Sequence, residues 1–155
     1  MDYRISGYAS RFDERDLGRD TVRPGAFSAS LLARPAPRPM LYGHQTDTPI
    51  GVWDRVVEDA TGLFVEGRIQ RGTPLADRVI DLVASGAVTG LSIGYRLVRA
   101  RGDDAQGRTL LELDLWEVSV VAFPMLPTAR IVSAEPVTDD TVTQTPSSPT
   151  ERNAA

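Results

Sequence analysis

Between residues 3 and 122 the chain is a succession of short apolar runs broken by turn residues, a pattern that restricts it to a mainly β fold. Tyr3-Arg-Ile-Ser-Gly-Tyr-Ala9 alternates with a period of two and reads as a first strand. Residues 11–25 are polar and loop-like. Met40–His44, Gly51–Glu58 and Leu63–Ile69 read as further strands, the last two joined as a hairpin around Asp59-Ala-Thr-Gly62. Two longer strands, Leu91–Arg99 and Leu110–Ala122, flank a hairpin tip at Gly102–Gly107. Only Pro74–Ser85 carries a full helix signature. Thr73 suits the N-cap, Pro74 the first helical position and Gly86 the stop. Leu75, Val79, Ile80, Leu82 and Val83 give this helix an apolar stripe. Ala26–Ala33 reads as a short second helix, followed by the extended proline-rich connector Arg34–Pro39. Many short strands with one or two helices point to a β-barrel with a few helices packed outside it.

Length and composition narrow the function. A chain of 155 residues is one domain with enough length to bury a core. Residues 133–155 are rich in Thr, Ser and Pro and contain no aromatic residue. Glu135, Asp139, Asp140 and Glu151 against Arg152 give this stretch most of the net charge of −4. Such a segment cannot offset its ordering entropy by burial and reads as a disordered acidic tail after a domain of residues 1–132. There is no cysteine, hence no disulfide framework and no thiolate metal site, and a single histidine disfavours a His-rich zinc site. No cofactor is expected. The negative balance argues against nonspecific nucleic-acid binding. No run is apolar enough to span a bilayer and the start lacks the core of a secretion signal, so the expectation is a soluble cytoplasmic protein. All 17 basic residues are arginine, a bias that fits a GC-rich genome; without lysine, Ser-Lys chemistry is excluded.

Three segments carry candidate chemistry. His44 is the sole histidine, so proton transfer near neutral pH by an unperturbed side chain must use it. Ser92 lies between Gly90 and Gly94, where the backbone can approach a substrate or turn unusually. Glu117 lies in the apolar run Leu115–Pro124, where strand alternation puts it on one face with Leu115, Ser119 and Val121. A carboxylate there needs a partner. A histidine N–H would satisfy it and fix the useful tautomer; a salt bridge to an arginine would satisfy it equally. Asp114 is the next acid candidate, on the opposite face. Each residue also has a bland reading: Ser92 as a strand residue beside bulge glycines, His44 as a turn histidine. The glycine–serine word follows a helix and opens a strand, which excludes the nucleophile elbow of α/β-hydrolases. One base, one hydroxyl and one acid on three elements suggest a serine hydrolase.

The order of the surrounding words is more specific. Gly7-Tyr-Ala-Ser-Arg-Phe, Arg23-Pro-Gly-Ala-Phe, Leu41-Tyr-Gly-His-Gln with Pro49-Ile-Gly-Val-Trp, Gly90-Leu-Ser-Ile-Gly-Tyr95 and Trp116-Glu-Val-Ser-Val-Val-Ala-Phe-Pro124 follow one another. The sequence resembles the prohead proteases of tailed bacteriophages over about residues 3–131. The resemblance implies the β-barrel of the herpesvirus assemblins and a serine endopeptidase acting inside the immature capsid in the host cytoplasm. Its substrates would be scaffold, or a scaffold-like N-terminal segment of the major capsid protein, and often the enzyme itself. The family serine falls on Ser92 and the family histidine on His44. The third assemblin residue is a second histidine, which this chain lacks; the acidic role falls on Glu117, or the site is a dyad. The oxyanion donors stay open, with backbone N–H groups near Ile93 or Gly94 and the Arg96 side chain as candidates. Assemblin-like enzymes can depend on dimers, so a homo-oligomer stays open too. A non-catalytic capsid-assembly or scaffold-binding factor on the same fold is the alternative, and an unrelated esterase a third reading.

Overall fold

The computed structural model describes residues 1–138 and contains one eight-stranded sheet and two helices among them. The strands are β1 (Tyr3–Arg11), β2 (Asp20–Val22), β3 (Arg38–Tyr42), β4 (Gly51–Glu58), β5 (Gly62–Ile69), β6 (Gly90–Asp103), β7 (Gly107–Val121) and β8 (Ile131–Pro136). The helices are α1 (Ser28–Ala33) and α2 (Pro74–Ala84). The reading of a mainly β domain holds. In α2 the Thr73 hydroxyl accepts the Ala76 N–H at 3.3 Å, and Ala76, Val79, Ile80 and Val83 are buried. The β4–β5 hairpin turns at Asp59, whose carboxylate accepts the Thr61 and Gly62 N–H groups.

The sheet order is β2-β7-β3-β4-β5-β1-β8, with β6 paired to β7. β7 is the organiser. It pairs antiparallel with β6 along its length, and parallel with β2 at residues 108–110 and with β3 at residues 118–120. Between those two parallel contacts its backbone is satisfied by other groups, as a buried strand requires. Leu113 N–H donates to the Ala26 carbonyl and Leu115 N–H to the Ser30 hydroxyl. The Leu115 carbonyl accepts from Arg34 and from buried Arg38, both at 3.0 Å.

The structure corrects four expectations. The barrel is not closed. β6 and the segment leading into β8 meet only at the isolated bridge Gly90–Arg130, flanked by Leu91 N–H to Ala129 O and Ile131 N–H to Thr89 O. Beyond this contact β1 and β6 diverge and line a cleft instead of pairing. Residues 20–22, within the expected polar loop, form β2, because a three-residue parallel contact leaves no alternating pattern to read. β8 continues to Pro136 on the edge of β1, so residues 133–136 belong to the sheet and not to the tail. Tail residues 139–155 lie outside the described residues.

The fourth correction concerns phase. Strand pairing passes from Gly94–Glu117 to Tyr95–Leu115, leaving Trp116 as an unpaired extra residue. The bulge flips the alternation. Leu113 and Leu115 are core residues before it, Val118 and Val120 after it. Glu117 therefore does not share a face with Leu115, as uninterrupted alternation would require. Because Leu115 is fully buried at this junction, Leu115→Ala is expected to lower unfolding free energy by about 3 kcal/mol, read by urea denaturation.

Candidate active site

The site is assembled where β3 ends against β7. β3 stops at Tyr42, and Gly43 and His44 both adopt positive φ, +59° and +62°, in a turn closed by Gln45 N–H to the Tyr42 carbonyl at 3.2 Å. The expected strand end at His44 is thus a tight turn. Left-handed backbone is uncommon for a residue with a Cβ and persists where the surroundings hold it. Gly43 N–H donates to the Val120 carbonyl at 3.0 Å, and His44 N–H donates to the Ser119 hydroxyl at 3.0 Å. The turn is therefore tied twice to β7.

This anchoring brings the imidazole onto the acid. His44 Nδ1 hydrogen-bonds Glu117 Oε1, and Glu117 Oε2 accepts the Ser119 hydroxyl at 2.7 Å. Glu117 is 14% exposed and His44 45%. The carboxylate contact raises the His44 pKa above its ordinary 6.5, outweighing burial, which lowers it. Gly94 stands opposite Glu117 in the ladder, and a Cβ there would overlap the carboxylate. Gly90 is filled in the same way by Pro124 and the Val121 carbonyl. The two glycines thus make room for the protein's own groups, where the sequence suggested room for a substrate.

Ser92 is opposite Ser119 across the β6–β7 ladder. Opposite residues project to one face, so Ser92, Ser119 and Glu117 share it. Ser92 and His44 line the same cleft, of about 260 Å³, with Leu91, Ile93, Tyr95, Leu110 and Met125. Among the described residues no hydrogen bond joins His44 to Ser92 or occupies the Ser92 hydroxyl, and no buried polar side-chain atom lacks a partner. The hydroxyl accordingly opens into the cleft. With Nδ1 committed to Glu117, Nε2 is the ring nitrogen left for the cleft.

The far wall is acidic but mostly neutralised. Asp20 is clamped by Arg108 through bonds of 2.9 and 2.7 Å. Glu14 is held below the usual carboxylate range by Thr128 and Arg11. Asp16 accepts the Asp20 N–H, and burial pushes its pKa up. The other sequence candidates are elsewhere. Asp114 contacts Arg34, Ser30 and the Trp116 indole, away from His44, because the bulge and α1 occupy it. Arg96 lies 3.8 Å from Asp114 with an exposed side chain, outside the cleft lining. Sequence reasoning did not assign a part to Ser119. Its spacing of two from Glu117 was the available signal, since it puts the hydroxyl beside the carboxylate. Among the described residues no His, Cys, Asp and Glu cluster is arranged to hold a metal ion.

An alcohol and an imidazole lining one cleft, with a carboxylate bonded to the imidazole, are the equipment with which serine hydrolases activate a hydroxyl. Comparison with known proteins makes the class specific. The family model for the caudovirus prohead serine protease matches residues 1–144, and the chain belongs to that family. The prohead protease of Enterobacteria phage HK97 is 33% identical over 139 residues, 86% of this chain and 60% of that protein. The prohead protease of Escherichia phage T5 is 30% identical over 124 residues, 78% of this chain and 58% of that protein. The chain therefore spans about three-fifths of the length of these relatives.

Solved structures show the same fold. The Kaposi's sarcoma-associated herpesvirus protease, solved with a hexapeptide phosphonate inhibitor, aligns with a TM-score of 0.61 at 16% identity, covering 88% of this chain and 66% of that one. The bacteriophage T4 capsid assembly protease aligns at 0.59 and 11% identity, covering 76% and 80%.

The His44–Glu117 contact has a direct readout, because the protein's one histidine gives a single labelled imidazole signal by NMR. Its titration midpoint is expected above 6.5 in the wild type and lower in Glu117→Gln, which removes the charge. An unchanged midpoint in that variant would show the contact to be absent in solution.

Proposed function

We propose that this chain is a serine endopeptidase of prohead maturation, with Ser92 as nucleophile, His44 as general base and Glu117 as the acid that orients it. The observation that carries the reading is the bond between Glu117 and His44, whose imidazole lines the cleft into which Ser92 opens. Family membership supplies the reaction class.

The steps follow from these groups. Ser92 Oγ attacks the scissile carbonyl while its proton passes to His44 Nε2. Glu117 holds the ring by Nδ1 and stabilises the imidazolium. The proton then goes to the departing amine as the C–N bond breaks, leaving an acyl ester on Ser92. Water, deprotonated by His44, cleaves the ester, and the hydroxyl is restored. Ile93, whose backbone N–H is a candidate oxyanion donor, borders the cleft beside Ser92.

The substrate is scaffold or a scaffold-like N-terminal segment of the major capsid protein, met inside the immature capsid in the host cytoplasm. The enzyme also trims itself, removing residues beyond about 132. No helix among the described residues is long and apolar enough to cross a membrane.

Co-expression with the capsid protein tests the nucleophile. Ser92→Ala is expected to leave the substrate full length, a loss of roughly 10⁴-fold or more. His44→Ala should be comparably inactive, since members of one catalytic unit are not additive. Undiminished cleavage by Ser92→Ala would favour a non-catalytic assembly factor. Intact-mass measurement of the enzyme itself tests self-trimming: the wild type should be shorter than Ser92→Ala, and equal masses would reject it.

The base must be neutral to act. Activity is therefore lost as pH falls through the raised His44 pKa, and half-maximal kcat/KM on the acid side is expected above pH 6.5.

A further inference from the structure

We propose that Ser119 is a positioning residue, a buried hydroxyl that fixes the acid and the base of the site to one another. The inference rests on the assignment of His44 and Glu117 above and deepens it. Ser119 has no exposed surface, so its side chain touches neither solvent nor substrate. Its oxygen nevertheless makes two hydrogen bonds, both to the catalytic pair. It accepts the His44 backbone N–H at 3.0 Å and donates to Glu117 Oε2 at 2.7 Å.

Each bond solves a distinct problem. The His44 backbone is in the left-handed region, which a side-chain-bearing residue leaves readily unless something retains it. The bond from its N–H is one of two ties between the turn and β7, the other being Gly43 N–H to Val120 O. Glu117 has free rotation about its side-chain bonds and can present either oxygen. Ser119 occupies Oε2, which leaves Oε1 for His44 Nδ1. A hydroxyl suits this place because one group must accept from an amide and donate to a carboxylate at once. Alanine can do neither, and it would leave the His44 N–H without this partner.

Ser119 also faces Ser92 across the ladder. One register position thus sets the lateral distance between the nucleophile's strand and the acid–base pair. A shift of the His44 turn by about 1 Å is enough to cost on the order of 100-fold in rate.

The test uses the full chain and a fluorophosphonate, which reports serine reactivity without a peptide substrate. Rates of Ser92 labelling are measured across pH, together with the NMR titration of the single histidine and the melting midpoint. Folded Ser119→Ala is expected to label about 10- to 100-fold more slowly. Its His44 midpoint should fall from the wild-type value towards that of Glu117→Gln, because the carboxylate is no longer held on Nδ1. Ser119→Thr keeps the hydroxyl and is expected to restore both rate and midpoint. Ser119→Cys, close in volume but with a weak thiol donor, should give intermediate values and serves as the comparator if the alanine variant does not fold.

Wild-type rate and midpoint in folded Ser119→Ala would overturn the proposal. So would slower labelling with an unchanged midpoint and no recovery in Ser119→Thr, which marks a packing role only. Failure of the underlying assignment looks different: label would appear on Ser92→Ala, or Glu117→Gln would leave the His44 midpoint unmoved.

Discussion

A carboxylate on the central strand of a β domain has to be partnered, and the placement of Glu117 on β7 governs the whole cleft. Burial of such a group without partners is costly, so its surroundings must supply them. Four features do so together. The Trp116 bulge turns Glu117 out of the core, Gly94 leaves space for it, Ser119 donates to one oxygen and His44 engages the other. Remove the bulge, and Glu117 would fall in phase with Leu113 and Leu115, inside the hydrophobic core. The same strand carries the parallel contact with β3 that delivers the His44 turn. Fold and site are coupled through a single strand.

The open sheet serves the cleft. A closed barrel would carry the contact between β6 and β8 past Gly90 along the Ser92 edge. Here the β6–β8 contact ends near Gly90, and the divergence of β1 and β6 leaves a wall on each side. The cleft is apolar at Leu91, Leu110 and Met125 and polar at Asp16 and Asp20. At one end His44, bonded to Glu117, and the free Ser92 hydroxyl border it. Rigid elements carry all three: β6 and β7 directly, and the His44 turn through its two ties to β7.

Much of this was legible in the sequence where the signal is local. The Thr73-Pro74 start of α2 and the Asp59–Gly62 turn follow from capping and turn chemistry, and both are present. His44, Ser92 and Glu117 could be singled out because a lone histidine, a glycine-flanked serine and a carboxylate in an apolar strand are each unusual. Their mutual placement could not be read from spacing, because it depends on parallel β3–β7 pairing between residues far apart in the chain. The bulge at Trp116 was invisible for a related reason: it is defined by the partner strand, and without it Glu117 and Leu115 fall on one face. Ser119 shows both limits. Its proximity to Glu117 follows from a spacing of two, but its bond to the His44 backbone exists only in the folded chain.

The most direct measurement is a crystal structure of the protein after reaction with a fluorophosphonate. Phosphorus bonded to Ser92 Oγ is expected, with His44 Nε2 within hydrogen-bonding distance of the adduct and Nδ1 still on Glu117. An adduct on another residue, or a Ser92 adduct with the imidazole turned out of the cleft, would contradict the assignment.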